Sequence, residues 1–432
     1  MERIVTASIA TWRRVLIAAA CAAGLCAAQT AQAADAAPTF SDWGWPMPRE
    51  QVSRKSVQWL KDKGWWPLSI AYQAPWSGQN AVNIVMDKQG FLKDRGLETK
   101  VQAFASGPEI NEVLVSGRFQ VGSGGNFPFS SLLDKKIPVK AIAIESPNLL
   151  HALVVPPDSK IRSFKDLKGS NPPAALGIVT GSSAEFYVQM AAMVNDVKIG
   201  RDVILKNMTP GDQMAMPEGL AGVVSWDPTV AMITEQRKNG RVADSIFPYN
   251  MYEGQFYVRD ELVQNVPDVV QALCDAFVEA TLWIRLHPEQ TADLMAQVPQ
   301  LKSYSKPILL DQVKRYNNAY KPSYVYPNAQ FWGQVNSVVF RWLHEHGRIV
   351  RPLSADDFVA AVDTRFMQKT FDKLGWTVPK APPFVPAGWT GDPAKIPYPS
   401  YLDVQSMKAP QPFPEKGDLV RPWTFDKKTW TP

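Results

Sequence analysis

AALGIVTGSSAEFYV, residues 174–188, is the stretch on which the reading of this chain turns. Ala174 to Val179 is an apolar run that ends in Thr180, Gly181, Ser182 and Ser183, and Ala184 to Val194 then carries apolar residues at helical spacing. The pattern predicts a buried strand, a polar turn and a helix. Ser182 and Glu185 have the capping-box spacing, in which the hydroxyl serves the third backbone N–H and the carboxylate reaches back. Gly181 lets the backbone approach a bound group closely. The same alternation occurs on both sides. Leu68 to Tyr72 reads as a strand, Ala81 to Met86 as a helix ended at Gly90, Leu97 to Phe104 as a strand and Pro108 to Val115 as a helix. Ala221 to Ser225 follows as a strand and Thr229 to Lys238 as a helix. This is an α/β rhythm, and two successive units of about a hundred residues each predict two lobes.

The flanks differ from this middle. Arg13 and Arg14, the apolar run Val15 to Leu25 and the Ala31-Gln32-Ala33 site predict a cleavable export signal over residues 1–33, with Ala34 as the new start. The apolar part is too short for a bilayer span. Basic residues at that place suit both Sec and twin-arginine export. Removing the segment lowers the formal charge from +5 to +3 and takes away Cys21 and Cys26, so Cys274 remains as a buried, inert thiol. Ala18 makes a lipid-attachment motif at Cys21 poor, so the exported chain is expected free in the periplasm. Residues 34–66 read as an N-terminal extension with a helix between Arg49 and Lys63. Past Tyr257 long helices are expected, from Pro267 through Ile284, from Phe331 to Trp342 and from Ala355 to Phe371. Of the 36 prolines, 12 fall in residues 379–432, which predicts an extended Pro-rich tail held by Trp389, Tyr398, Trp423 and Trp430.

Several function classes are disfavoured. The chain is 45% hydrophobic and 20% charged with no basic block, which argues against disorder, a polytopic membrane protein and a nucleic-acid partner. It contains no G-x-S-x-G elbow, phosphate loop, HExxH or CxxC. His344 and His346 stand two apart, so on a helix they point to different faces and cannot chelate a metal together. No cofactor, no metal and no catalytic residue are expected, and the chain does not read as an enzyme.

What remains is a set of polar turns between strands and helices. In open α/β sheets these gather at the carboxyl ends of the strands, where ligands bind, and each helix start offers unpaired N–H groups. The turn at Gly181, Ser182 and Ser183 is the clearest, although Glu185 puts a negative charge where the helix field would attract the ligand's own. Gly122 to Ser131 reads as a glycine-rich turn in which Asn126 supplies a donor and an acceptor and Phe127 an apolar wall. Trp76 stands in the loop Gln73 to Asn80. Asp227 with Pro228 reads as a helix cap and first residue, with Trp226 at the strand end. Ser106 to Glu109 reads as helix initiation only. Each of these features also occurs in helix starts and turns that hold no ligand.

Six stretches in order resemble the periplasmic solute-binding proteins of the sulfonate, taurine and nitrate type that feed ABC importers. They are AYQAPWSGQNAVNIVMDKQGFLKDRGLETKV, GPEINEVLVSGRFQVGSGGNFP, IRSFKDLKGS, GIVTGSSAEFYV, VVSWDPTVA and FYVRDELVQNVPDVVQAL, spread over Leu68 to Phe371. The resemblance implies a two-lobed type 2 periplasmic binding fold with two crossover strands, extended by the N-terminal segment and the tail. Lobe 1 would comprise 67–156 and 253–378, lobe 2 residues 157–252. It implies a monomeric importer subunit that holds a small organic anion, sulfonate-like or aromatic carboxylate-like, and passes it to the permease. The contacts would be Trp76, Asn126, Phe127, Gly181, Ser182, Ser183, Trp226, Asp227 and Tyr252. A periplasmic enzyme on the same scaffold, like thiamine-pyrimidine synthase, and a ligand-sensing partner of a membrane receptor are the alternatives. Residues 34–66 and 379–432 lie outside the resemblance.

Overall fold

A computed structural model describes residues 37–76, 80–382, 385, 389 and 412–432. The expected export signal with Cys21 and Cys26, loop residues 77–79 and tail residue Tyr398 lie outside the described residues.

Runs of five to seven residues bounded by turns, apolar in the sheet centres and more polar at edges such as Thr99–Phe104 and Arg241–Ser245, form two five-stranded mixed sheets. The first holds β1 (Leu68–Gln73), β2 (Thr99–Phe104), β3 (Val121–Gly125), β4 (Val139–Glu145) and β10 (Gly254–Arg259), in the order β2-β1-β3-β10-β4. The second holds β5 (His151–Val155), β6 (Ala174–Ile178), β7 (Val203–Asn207), β8 (Gly222–Trp226) and β9 (Arg241–Ser245), in the order β7-β6-β8-β5-β9. Both follow one plan. In each, four strands run in one direction and the fifth, which arrives from the other sheet, is antiparallel to both its neighbours: β5 after β4, and β10 after β9. The chain therefore crosses twice, between Glu145 and His151 and between Ser245 and Gly254. The two-crossover α/β architecture expected from the sequence is present. The sheets place the change earlier than the boundary drawn after residue 156, because His151–Val155 pairs with β8 and β9 of the second sheet. A strand buried along its whole length carries no alternation that tells which sheet it joins.

The helices that matter for the site are α1 (Arg54–Asp62), α2 (Ala81–Lys88), α3 (Gly107–Val115), α4 (Asn126–Asp134), α5 (Ser183–Val194), α6 (Pro267–Leu286), α7 (Ala329–Glu345) and α8 (Arg365–Leu374). Three expectations are corrected. Gly122 to Ser131 is not a turn: Val121–Gly125 is a fully buried strand that runs directly into α4. Its glycines are there for space, since a Cβ at Gly122 would come within 2.6 Å of Leu114 and 2.8 Å of Tyr257. Thr229 to Lys238 is a helix but not a regular α-helix: it is α only over Thr229–Ala231 and widens into a π-helix over Met232–Arg237. Ala355 to Phe371 is two helices, Ala355–Ala360 and α8, broken where Val362 bridges to Ala141 at the sheet edge and Asp363 accepts from the Arg365 amide.

The flanking segments are tied to this core. Arg49, buried, donates Nη2 to Glu279 of α6 at 2.5 Å and Nη1 to Asp94 at 2.5 Å, while Arg95 reaches the other Glu279 oxygen at 2.7 Å. In the tail, Trp423–Phe425 and Lys428–Trp430 form a short antiparallel hairpin, β11 and β12. Trp423 stacks against Phe425 at 5.1 Å and Trp430 at 5.4 Å. Cys274 is free and buried among α6 apolar residues, and burial pushes its thiol well up. No helix among the described residues is long and apolar enough to cross a membrane.

Candidate functional site

Each sheet ends in a helix start that points towards the other sheet. α4 begins at Asn126 after β3, and α5 begins at Ser183 after β6 and the Thr180-Gly181-Ser182 turn. The two meet: the Ser183 hydroxyl donates to Asn126 Oδ1 at 3.1 Å. The same oxygen accepts the Phe127 amide at 2.9 Å, which fixes the orientation of the carboxamide. Asn126 is fully buried, and its Nδ2 has no partner among the described residues. A buried donor left without an acceptor is costly, on the order of 1–3 kcal/mol, so this atom marks where an acceptor belongs.

Aromatic side chains surround this point from both sheets. Trp76, after β1, donates its indole N–H to the Tyr252 hydroxyl at 3.0 Å. Trp226, at the end of β8, donates its own to the Pro75 carbonyl at 2.9 Å, from the second sheet to the loop of the first. A Cβ placed on Gly125 would lie 2.5 Å from the Tyr252 oxygen and 2.8 Å from Ser183 Oγ, so the end of β3 is packed against both. His151, the first residue of the crossover strand β5, lies 4.8 Å from the Tyr252 ring and 6.0 Å from that of Trp226. Burial lowers the His151 pKa to about 4, so the imidazole is neutral at pH 7. Burial, partly offset by the Trp76 N–H and augmented by Glu253, raises the Tyr252 hydroxyl well above its ordinary value.

The expected residues therefore divide. Trp76, Asn126, Ser183, Trp226 and Tyr252 come together at one interface between the sheets. Phe127 and Gly181 lie beside it, lining a groove of about 280 Å³ with Pro108, Asn111, Pro128 and Ser131. Pro108 of α3 and Gly181 face each other across its floor, where a Cβ on Gly181 would stand 3.5 Å from the proline ring. Ser182 turns inward: its hydroxyl donates to the Val179 carbonyl at 2.6 Å and accepts the Ala184 amide at 3.2 Å, a helix cap. Asp227 also turns away, accepting the Tyr316 hydroxyl at 2.8 Å with Arg315 at 3.8 Å; burial raises its pKa, and Arg315 and Tyr316 oppose the rise. Glu185, buried, accepts the Gly181 amide at 2.8 Å and pairs with Arg348, which follows α7.

Four participants were not singled out in the sequence. His151 sits in an apolar strand, where a lone histidine signals nothing. Arg348 is one arginine among many and finds Glu185 only through the fold. Glu145 and Glu253, flanking the crossovers, are fully buried carboxyls: Asn83 donates to Glu145 at 2.8 Å, and Asn336 of α7 to Glu253 at 2.6 Å. Burial raises Glu145 to about 8 and Glu253 well above the usual carboxylate range. Among the described residues no group of three His, Cys, Asp or Glu side chains is placed to hold a metal ion.

Comparison with known proteins places this geometry. Residues 79–291 match the family described as "NMT1/THI5 like". A curated binding protein of Brucella abortus (strain 2308) is 24% identical over 237 residues, 54% of this chain and 71% of that one. The periplasmic nitrate-binding protein NrtA from Synechocystis PCC 6803 superposes with a TM-score of 0.60 at 15% identity, over 79% of this chain and 98% of that one. The periplasmic aliphatic sulphonate-binding protein SsuA from Escherichia coli superposes at 0.57 with 18% identity, over 67% and 90%. At these identities the superpositions speak for the fold. α7 and Arg348 lie beyond the matched segment. With its two sheets and two crossovers the chain has the periplasmic-binding-protein fold, and over residues 79–291 it is similar to the NMT1/THI5-like family.

Proposed function

We propose that this chain is the solute-binding subunit of an ABC importer. It captures a small organic acid, sulfonate-like or aromatic carboxylate-like, between two lobes built on the two sheets. The observation that carries this reading is the unpartnered Asn126 Nδ2, buried where the starts of α4 and α5 meet. Each helix start carries roughly half a positive charge, so two facing one point amount to about one unit, the complement of a monoanion. Trp76, Trp226 and the neutral His151 supply flat apolar walls beside it, and the groove along Phe127 and Pro108 offers room for a small body. Rotation about the crossovers at residues 145–151 and 245–254 would open and close the site. An exported monomer that delivers its ligand to a membrane permease is consistent with the basic, apolar and small-residue order of residues 1–33 and with what the similar proteins are named for.

A thermal-shift screen of the mature chain with alkanesulfonates, aromatic acids, nitrate and pyrimidines tests the proposal, because a ligand of the folded state raises the melting temperature. A stabilising monoanion whose effect disappears in Asn126→Ala supports it. Stabilisation by none of these acids, or stabilisation untouched by that substitution, refutes it.

A further inference from the structure

The start of α5 is a natural anion seat, yet the protein's own acceptors already take most of its amides. Gly181 N–H goes to Glu185 Oε2 at 2.8 Å, Ser182 N–H to the Val179 carbonyl at 3.3 Å, Ala184 N–H to Ser182 Oγ at 3.2 Å and Glu185 N–H to the Ser182 carbonyl at 3.1 Å. The carboxylate of Glu185 thus occupies the position at Gly181 where an incoming acid would otherwise sit. It is 2% exposed, and its other oxygen is paired with Arg348. Arg348 is held from the opposite side. Its neighbours Val350 and Arg351 donate their amides to Asp134 at the end of α4, at 3.0 and 2.8 Å, and the Arg351 side chain reaches the Leu133 carbonyl at 2.7 Å. Beside the pair, Trp342 of α7 packs edge-on against Phe186 of α5 at 5.5 Å. The ion pair therefore spans the same interface as the Ser183–Asn126 contact, anchored on α5 at one end and on α4 and α7 at the other.

We propose that the Glu185–Arg348 pair sets the charge of the ligand that this cleft accepts. The inference rests on the anion-binding reading given above and adds to it a selectivity element. The guanidinium, 39% exposed, would otherwise add a solvent-screened positive charge to the two helix starts, and the pair cancels it. What is left at the two helix starts is the Asn126 carboxamide, the Ser183 hydroxyl and the fields of α4 and α5, neutral groups or partial charges, while the adjoining groove carries one cation and one anion, Lys135 and Glu112. Such a seat matches one negative charge. A divalent oxyanion would bury a second charge with no counter-charge, which is strongly unfavourable. Glu185 is in this sense a resident anion that turns a potential general oxyanion site into one for singly charged acids.

The test measures binding of ethanesulfonate, benzoate, sulfate and hydrogen phosphate to the mature chain by calorimetry at low ionic strength. It compares the native protein with Glu185→Gln, Arg348→Gln, Arg348→Lys and the Glu185→Gln/Arg348→Gln double variant. Glu185→Gln keeps an acceptor for Gly181 but frees the positive charge, so it should raise sulfate affinity relative to ethanesulfonate by about tenfold. Arg348→Gln leaves the carboxylate uncompensated and should weaken every anion by about tenfold or more. The double variant should return the sulfate-to-ethanesulfonate ratio to that of the native chain, and Arg348→Lys should preserve it. If Arg348→Gln fails to fold, Glu185→Gln and Arg348→Lys still decide the matter. A native chain that binds a monoanion with a ratio unmoved by Glu185→Gln overturns this inference and leaves the anion-binding reading standing, as does Arg348→Lys shifting the ratio despite its retained charge. If neither the native chain nor any variant binds these probes, both fall.

Discussion

The indole N–H of Trp76 and the hydroxyl of Tyr252 meet at 3.0 Å, joining the loop that follows the first strand to the second crossover. Both side chains are buried, and the Trp76 ring lies so close over the β10 backbone that a Cβ on Gly254 would come within 2.3 Å of it. A wall of the candidate site is thereby fixed to the segment about which the two sheets would move. Movement of the crossover is bound to alter the indole's surroundings.

That contact predicts energetic coupling. Trp76→Phe and Tyr252→Phe each remove one partner of a buried hydrogen bond, and each should cost about 1 kcal/mol of stability. The double variant should cost less than the sum by roughly 0.5–1.5 kcal/mol. Urea unfolding of the four proteins measures the difference, and strict additivity would show that the bond contributes nothing.

Ligand binding should depend on Ser183 and not on Ser182. Ser183→Ala removes the hydroxyl that joins α5 to Asn126 and should weaken binding of a monoanion by about tenfold with a small change in melting temperature. Ser182→Ala removes a helix cap and should instead lower stability by about 1 kcal/mol with affinity per folded molecule retained. Titration calorimetry paired with melting curves separates the two, and the reverse assignment would contradict the geometry.

Stability should pass through a maximum in mildly acidic solution as far as Glu145 and His151 decide it. Burial raises Glu145 from 4.5 to about 8, so the folded state holds a proton that the unfolded chain releases, and stability falls as pH rises from about 4.5 through 8. Burial lowers His151 from 6.5 to about 4, so stability falls in the other direction as pH drops from about 6.5 through 4. Glu145→Gln should lessen the alkaline decline, leaving the part that the buried Glu253 contributes, and stabilise the protein at pH 8 by roughly 2–4 kcal/mol. Melting temperatures of both proteins between pH 4 and 9 test this, and parallel curves would refute it.

The N-terminal segment is expected to be part of the folded core. Arg49→Ala removes one of two guanidinium partners of the buried Glu279 and should destabilise the chain by about 2 kcal/mol or more. Arg49→Lys should recover only part of this, because an ammonium cannot reach Glu279 and Asp94 in the same forked geometry. A loss within 0.5 kcal/mol in denaturant titrations would mean that residues near Arg49 add nothing to the core.

Local pattern carried much of the architecture. Strand, polar turn and helix are all visible in residues 174–188 because burial imposes one period on a strand and another on a helix, and the cap residues stand at the boundary. Five of the nine expected contact residues meet at one interface because turns at the carboxyl ends of strands are brought there by the fold itself. Gly122 to Gly125 reads as a turn in sequence because glycine signals a break, whereas in the fold Gly122 serves close packing by Leu114 and Tyr257 and Gly125 by Tyr252 and Ser183.

By itself, then, the sequence determined the α/β alternation, the helix starts and the residues that the two sheets bring to one place. Which side chains turn towards that place was decided only by tertiary structure. Ser182 and Asp227 face the protein because Val179 and Tyr316 are there to receive them. Trp76 meets Tyr252 across 176 residues, and Arg348 meets Glu185 across 163, outside the family segment. Charge compensation and hydrogen bonding act over a few ångströms, so partners so far apart in the chain become identifiable only after both crossovers have been made.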